Sequence, residues 1–338
     1  MPAEPLVVQA VRKHRAALLA RDAAQMREMA KVWATAELEL QASMDALALQ
    51  IDAMRQAGEV VNPGKLYRME RYSRLLFEVR RETAKYADYA AKTVTAGQQE
   101  AAWIAQQEAA KTLTLAGGRI GPALTQLSPQ TVEAMVGIMG DGTPLRQYLE
   151  GVYGDAARGM SKYLTRAVTQ GLNPHETARQ MRKGLRLGLD RALTIARTEQ
   201  LRVYRETQRL SYQQSGVVQG YRRISAKSER TCLGCLVEDG RFYSLTESFE
   251  DHVQGRCALI PVLTGEGLPQ WETGKTWLEK QPEATQRKIM GPGRHELYKS
   301  GAVPLEQMAT HTHDPLWGGA WIPTPVKDLS TTLAQQVV

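Results

Sequence analysis

The N-terminal part of the chain has the apolar periodicity of a long helix. From Pro5 to Gln56 it contains no glycine and no further proline. An apolar residue recurs every seventh position, at Met26, Trp33, Leu40, Leu47 and Met54. This repeat is typical of a coiled coil, and it predicts one helix that reaches roughly 75 Å at a rise of 1.5 Å per residue.

A second long helix is predicted from about residue 65 to residue 115. Its apolar face is formed by Leu66, Met69, Tyr72, Leu76, Val79 and Tyr86. Helix-breaking residues lie at both ends, from Gly58 to Gly64 and from Gly117 to Pro122. The two helices indicate an antiparallel hairpin that projects as an arm, although a compact helical bundle would give the same periodicity.

Beyond the hairpin the pattern changes to shorter elements. Helices are predicted to start at Pro129, Pro144 and Pro174. A further helix is predicted from Asp190 to Ser215, and strands from Val218 to Ala226 and from Ala258 to Leu263. The segment from Trp317 to Pro325 is rich in glycine, proline and tryptophan, and it is predicted to form an irregular strap.

All three cysteines of the chain lie in one stretch. Cys232 and Cys235 form a C-x2-C knuckle, and His252 and Cys257 follow at a spacing that is typical of zinc sites. Four protein ligands close the tetrahedron, so we expect a structural rather than a catalytic Zn²⁺. The alternatives are a disulfide with one free thiol, three unrelated cysteines, or a cysteine nucleophile with a histidine base. The disulfide is disfavoured because three cysteines cannot all pair.

Asp239 and Gly240, flanked by Val237, Phe242 and Tyr243, predict a short hairpin that returns the second ligand pair to the knuckle. We therefore expect a mostly α fold, with a long N-terminal helical hairpin followed by a smaller α+β domain stabilised by zinc. The expected divisions are an arm over residues 1–125, a helical connector over 126–187, the α+β module with the Cys3His site over 188–263, and a helical and irregular extension over 264–338.

Several short motifs follow one another in this region. An Ala-Arg-Thr-Glu motif lies on the predicted helix, Arg-Thr-Cys-x-x-Cys with Asp-Gly four residues on forms the knuckle, and the second ligand pair precedes a short apolar strand. The residues concerned are Ala196, Arg197, Thr198, Glu199, Arg230, Thr231, Cys232, Cys235, Asp239, Gly240, His252, Arg256, Cys257 and Pro261. With them, the chain from about Leu172 to Thr310 resembles the Mu F-like head morphogenesis family, the minor head proteins of tailed phages.

The resemblance implies a non-enzymatic virion protein. It implies action at the portal vertex in head assembly or DNA delivery, with the portal protein and other capsid proteins as partners and multiple copies per virion. We expect the chain in the host cytoplasm during assembly and afterwards in the phage head near the portal. The motif residues outside the ligand set are expected to be structural. One departure is Gly255, which stands where the family usually has the first cysteine of Cys-Arg-Cys.

Charge and hydropathy narrow the choice of partners. The chain has a net charge of +7 and an isoelectric point near 9.3. This balance favours an anionic partner such as packaged DNA, although the charges are spread along the sequence. No stretch approaches the roughly 18–20 apolar residues of a membrane span, and no secretory signal is evident. We therefore expect no membrane partner.

Two enzymatic alternatives are weaker. Arg197 and Glu199 could form an active site of the ADP-ribosyl transfer kind in an injected effector. Side chains two residues apart on a helix point in different directions, however, and Arg202 offers Glu199 an ordinary surface pair. A zinc-supported nuclease of the His-Asn-His type would need catalytic histidines beyond the zinc ligand, and neither neighbour of His252 is a histidine.

Two further motifs give only weak evidence for a binding site. Gly274-Lys275-Thr276 lacks the earlier glycine of a phosphate-binding loop, so it is better explained as a helix start capped by Thr273. His311, His313 and Asp314 could bind a metal from an extended segment, but the rest of a ligand set is missing.

Overall fold

The computed structural model describes residues 4–117 and 126–329. Within these residues the chain is mostly helical, with small sheets toward its C-terminal end, as the sequence predicts. The predicted end of the arm at Gly118, Gly121 and Pro122 lies outside the described residues. Among the residues that are described, no helix combines the length and the apolar character needed to cross a bilayer.

The helices of the first two thirds of the chain are α1 (Leu6–Gln56), α2 (Pro63–Leu66), α3 (Glu70–Leu115), α4 (Pro129–Glu133), α5 (Leu145–Thr169) and α6 (Pro174–Ser215). The side chain of Asn62 caps the short helix α2 by accepting a hydrogen bond from the backbone N–H of Lys65 at 2.9 Å. The second long helix, predicted from about residue 65, begins after α2, at Glu70. The helices predicted from Pro174 and from Asp190 form one continuous helix. Gly184 lies within this helix at a close contact with α5, where a side chain would meet the carbonyl oxygen of Gly159 at 2.5 Å.

Strands and short helices alternate in the C-terminal third. They are β1 (Val218–Ile224), α7 (Leu233–Val237), β2 (Phe242–Ser244), β3 (Ala258–Leu263), α8 (Gly274–Glu279), α9 (Glu283–Met290), α10 (Pro292–Lys299), a 3-10 helix (Leu305–Met308), β4 (Ala309–Asp314) and β5 (Gly318–Pro323). One sheet has the antiparallel order β2-β1-β3, and β4 pairs with β5 in a second sheet.

Two local predictions are wrong. The segment predicted as an irregular strap contains β5, which pairs along its whole length with β4, from Gly318 opposite Asp314 to Pro323 opposite Ala309. The predicted hairpin around Asp239-Gly240 fails on its first side, because Val237 ends α7 and is not in a strand. Its second side, β2, pairs instead with β1.

Contacts divide the chain into two units. Unit 1 comprises residues 1–20, 98–141 and 198–338, and unit 2 comprises residues 21–97 and 142–197. The long helices α1, α3 and α6 contribute residues to both units. The division into arm, connector, α+β module and extension remains a prediction.

In unit 2, α1 and α3 run antiparallel, as expected for a hairpin. The hydroxyl of Tyr86 donates a hydrogen bond to the carbonyl oxygen of Met29 at 2.6 Å. Farther along α1, the hydroxyl of Ser43 donates to the carboxylate of Glu78 at 2.6 Å. An increase in residue number on one helix therefore corresponds to a decrease on the other.

Helices α5 and α6 cover this hairpin within unit 2. Trp33 of α1 stacks on Tyr153 of α5 with 5.6 Å between ring centroids. Arg186 of α6 forms an ion pair with the buried carboxylate of Glu37 at 2.9 Å. In unit 2 the two long helices therefore pack with α5 and α6 in a bundle that buries their apolar faces.

In unit 1 the three-stranded sheet is covered on both faces. The apolar cluster on one face contains Ala109, Leu113, Tyr212, Val218, Tyr221, Tyr243, Leu259 and Leu263. The cluster on the other face contains Val7, Val8, Val11, Ile224, Ala258 and Ile260. Burial on both sides explains why β3 is a continuous apolar run, and it fixes β1 and β3 as a rigid base for the residues that join them.

Candidate metal centre

Cys232 and Cys235 lie at the start of α7. Cys232 is the N-cap residue, with extended backbone angles of φ −67° and ψ 152°. Its sulfur atom accepts a hydrogen bond from the backbone N–H of Cys235 at 3.3 Å. The cap therefore fixes the first sulfur beside the second, and Cys235 is buried while Cys232 is partly exposed.

Asp239 and Gly240 hold the base of this knuckle. One carboxylate oxygen of Asp239 accepts hydrogen bonds from the backbone N–H and the hydroxyl of Ser225 at 2.8 and 2.6 Å, and the other accepts from the indole N–H of Trp271 at 2.9 Å. Gly240 has a φ of 93°, in the left-handed region that favours glycine. Its N–H donates to the carbonyl oxygen of Arg223 at 2.8 Å. These contacts tie the chain after α7 to the end of β1.

The loop before β3 carries His252. Its Nδ1 lies 2.9 Å from the carbonyl oxygen of Val253, which assigns the ring proton to Nδ1. Its Nε2 lies 3.3 Å from the sulfur of Cys235. The backbone N–H of Gln254 donates to the hydroxyl of Thr198 on α6 at 3.1 Å, which holds the loop against the motif helix. The ring is thus oriented with Nε2, the nitrogen that can bind a metal, toward the knuckle.

The ligand atoms form two overlapping groups. The sulfurs of Cys232 and Cys235 and a ring nitrogen of His252 lie within 4.8 Å of one another. The sulfurs of Cys235 and Cys257 and a carboxylate oxygen of Asp251 do so as well. Both groups could hold a metal ion. Cys235 belongs to both, so all four predicted ligands meet around it, together with a carboxylate that the sequence did not predict.

Hydrogen bonding to Cys235 dominates the electrostatics of the neighbouring ligands. It lowers the pKa of the Cys232 thiol and raises the pKa of the Cys257 thiol, which burial raises further. It also raises the pKa of His252 to about 9, although burial of the ring acts in the opposite direction. The thiolate form is therefore favoured at Cys232 and disfavoured at Cys235 and Cys257. A metal cation bound there would favour the thiolate form of all three, because the metal ligand is the deprotonated thiol.

Asp251 joins this cluster to two buried arginines. Its carboxylate lies 2.5 Å from the guanidinium of Arg223 on β1 and 3.0 Å from that of Arg205 on α6. Burial alone would raise the pKa of Asp251, but the two guanidinium groups lower it. Arg205 also donates to the carbonyl oxygen of Cys257 at 2.9 Å, and Arg223 lies 3.7 Å from the sulfur of Cys235. The network therefore connects both halves of the ligand set.

The position of Gly255 depends on the same carboxylate. A Cβ atom at this position would lie 2.1 Å from the carboxylate carbon of Asp251. The backbone N–H of Gly255 donates to the carbonyl oxygen of His252 at 2.7 Å, which closes the turn between the histidine and Cys257. The carboxylate thus fills the space that a side chain at position 255 would need.

Arg230 and Arg256 are the exposed members of the predicted motif. Both line a cavity of about 200 Å³ that also contacts the three cysteines and His252. Both residues are exposed to solvent. Their guanidinium groups therefore contribute positive charge at the mouth of the cavity and do not belong to the buried network.

The residues of the Ala-Arg-Thr-Glu motif have separate partners. Arg197 forms an ion pair with the buried carboxylate of Asp22 at 2.5 Å. Glu199 pairs with Arg202 at 2.6 Å, and Arg202 also donates to the carbonyl oxygen of Ile138 at 3.2 Å. The predicted pair of Glu199 with Arg202 exists, but it is not a surface pair, since the Glu199 side chain is 2 % exposed. Burial raises the pKa of Glu199.

A cleft of about 360 Å³ lies beside the cysteine cluster. Its lining includes Glu199, Arg205, His252, His313 and Trp317. The sequence did not predict that α6 and the end of β4 line one cleft, because these segments lie far apart in the chain. Glu199, whose pKa is raised, therefore lines the same cleft as His252 and His313.

The histidines of β4 have a different environment from the one expected of a metal site. The Nε2 atom of His311 lies 2.5 Å from a carboxylate oxygen of Glu250. Among the described residues, His311, His313 and Asp314 do not come together as a group of metal ligands.

One of the comparisons with known proteins finds a match, which covers the cysteine cluster. The model of the family described as phage Mu protein F like protein matches residues 159–260, which include α6, the knuckle and the first half of β3. No curated protein and no solved structure matches the chain. The resemblance seen in the sequence is confirmed over these residues.

Proposed function

We propose that this chain, whose residues 159–260 form a Mu F-like region, is a minor head protein of a tailed phage that acts at the portal vertex. Its partners would be the portal protein and other capsid proteins, and packaged DNA would lie beside it. It would act in head morphogenesis, in DNA delivery or in both, and it would be present in several copies per virion. The family match is the observation that carries this proposal.

We also propose that the four predicted ligands hold a structural Zn²⁺. Three thiols and one imidazole are donors that zinc favours, and Cys232, Cys235, His252 and Cys257 converge around one sulfur atom. The orientation of His252 by the carbonyl oxygen of Val253 supports the fit. The metal would link the start of α7 to the loop before β3. A set of four protein ligands leaves no position for water or substrate, which favours a structural role.

The environment of the Ala-Arg-Thr-Glu motif supports a structural interpretation as well. Arg197 and Glu199 each have a charged partner of their own, and Thr198 accepts a hydrogen bond from the loop that carries His252. The motif helix is therefore joined to the cysteine cluster through ordinary structural contacts. Such contacts would stabilise the fold without any reaction.

An enzymatic role is the alternative, and the cleft beside Glu199 is the observation that favours it. A buried carboxylate with a raised pKa is a candidate acid or base. The variant Glu199→Gln separates the two functions. A folded variant that still enters phage particles but loses DNA cleavage or ADP-ribosyl transfer would establish an enzyme, whereas loss of folding or of entry into particles supports the structural role.

The head assignment is tested on purified phage particles. Quantitative mass spectrometry of the particles should detect the chain in the head fraction, in a fixed ratio to the portal protein. Cross-linking should connect it to the portal protein or to a neighbouring capsid protein. Presence in infected cells but absence from purified particles would refute the proposal.

A further inference from the structure

The net positive charge of the chain resides in one of its two units. Residues 21–97 and 142–197 of unit 2 contain 22 of the 43 lysines and arginines but only 15 of the 36 aspartates and glutamates. Unit 2 therefore has a net charge of +7, the value of the whole chain, and unit 1 is neutral. The linear sequence hides this asymmetry because the segments of the two units alternate along it.

A groove of about 610 Å³ in unit 2 displays part of this charge. It is lined by Arg80 of α3 and by Arg158 and Lys162 of α5, and all three residues are exposed. No aspartate or glutamate lines the groove in this described part of the chain. Arg158 also forms a surface pair with Asp155, and such exposed pairs contribute little.

The floor of the groove is braced across the two helices. The hydroxyl of Tyr72 donates to the hydroxyl of Ser161 at 3.1 Å, and the hydroxyls of Tyr67 and Thr165 lie 3.4 Å apart. The two tyrosine rings contact each other, with 5.6 Å between their centroids. The groove is thus formed in the free protein, so an anionic ligand would not have to order it.

We propose that this basic groove binds the phosphate backbone of duplex DNA. Arg158 and Lys162 are four residues apart on α5, which places them about 6 Å apart along the helix axis. A DNA strand presents one phosphate about every 3.4 Å along its axis, so the two side chains can meet alternate phosphates. Arg80 contributes a third cation from the opposite wall.

The choice of DNA over other anions rests on the proposed location in a phage head, where packaged DNA is the densest polyanion. The contact would be independent of base sequence, because the cations and hydroxyls that line the groove would contact phosphates and not base edges. The function would be to hold or guide the duplex next to the protein.

The test is a titration of a fluorescent 20-base-pair duplex with the full-length protein, followed by anisotropy between 50 and 200 mM KCl. The groove variant is Arg80→Gln/Lys162→Gln. The matched control is Arg27→Gln/Lys92→Gln, which removes the same charge from exposed residues of unit 2 that do not line the groove. Circular dichroism first establishes that both variants keep the helical content of the parent.

We expect the groove variant to bind at least about tenfold more weakly at 50 mM salt, and the slope of log K against log salt to fall by about 2, since each lost phosphate contact removes about 0.9. The control should change affinity by less than about threefold. An equal loss of DNA affinity in both variants would overturn the proposal, because the overall positive charge of unit 2 would then explain the binding. Absence of duplex binding by the parent at 50 mM KCl would overturn it too.

Two further ligands decide the chemistry of the site. Inorganic phosphate, compared with KCl at equal ionic strength, should not compete beyond the salt effect, and selective competition would indicate a small-anion pocket instead. A single strand should bind no tighter than the duplex. Tighter single-strand binding that is lost in Tyr67→Ala would overturn the duplex assignment in favour of base stacking. None of these failures would alter the mass-spectrometric test of the head assignment.

Discussion

Substitution of Gly255 by alanine tests the buried network that joins the two halves of the ligand set. The added methyl group would lie 2.1 Å from the carboxylate carbon of Asp251, well inside van der Waals contact. A flexible carboxylate could swing aside at little cost, but this one is 1 % exposed and is held by Arg205 and Arg223. Relief of the clash therefore requires the two ion pairs to break or the loop to move.

The cost of breaking these ion pairs sets the expected loss of stability. Loss of one partner from a buried ion pair costs about 3–5 kcal/mol, whereas glycine to alanine at an unstrained, open position stabilises a protein by about 0.4–1 kcal/mol. The two effects have opposite signs, so the measurement discriminates between them. We expect Gly255→Ala to lower the free energy of unfolding of unit 1 by at least about 2 kcal/mol.

Urea unfolding followed by circular dichroism measures this change. The control is Gly267→Ala, also in unit 1, where an added Cβ has no atom within 4 Å and the backbone is not left-handed. It should remain within about 0.5 kcal/mol of the parent. In an Asp251→Ala background the alanine at position 255 should cost less than about 1 kcal/mol, because its clash partner is gone. An unchanged or increased stability of Gly255→Ala in the parent would refute the reasoning.

Three further predictions test other contacts. Cys232→Ser removes one predicted ligand, while the serine hydroxyl can still cap α7. Urea unfolding should show loss of stability in unit 1 with the helical signal of unit 2 retained, and a uniform loss of helix would contradict this. Thr198→Ala should lower stability by about 1 kcal/mol in the same assay, because the Gln254 N–H loses its acceptor, while an unchanged midpoint would argue against that contact. Burial raises the pKa of Glu199 above its ordinary 4.5, so the stability it contributes is full below pH 4.5 and is lost as the pH rises through the raised value. Glu199→Gln should therefore flatten the pH dependence of unfolding above pH 4.5, and an identical pH profile would count against the assignment.

Local patterns in the sequence predicted the elements that depend on local physics. The glycine-free stretch gives α1, and Thr273 caps α8 by accepting from the backbone N–H of Thr276 at 3.4 Å. The C-x2-C spacing placed Cys232 and Cys235 side by side, because an N-cap followed by one helical turn has a fixed geometry.

Contacts between residues far apart in the sequence could not be predicted from local patterns. Apolar periodicity marked a buried face on α1 but could not say that α5 and α6 cover it. The role of Asp251 depends on arginines from β1 and α6 that lie far from it in sequence, and a lone aspartate beside a histidine gives no signal of this network. The concentration of charge in unit 2 depends in the same way on how distant segments assemble.

The most direct test of the proposed zinc centre is the metal content of the purified full-length protein, determined by inductively coupled plasma mass spectrometry before and after chelation. We predict about one zinc per chain. Removal of the metal should make Cys232, Cys235 and Cys257 reactive toward a thiol reagent and should destabilise unit 1 while unit 2 keeps its helical signal. A folded protein that contains no metal and whose three thiols all titrate without chelation would contradict the proposed centre.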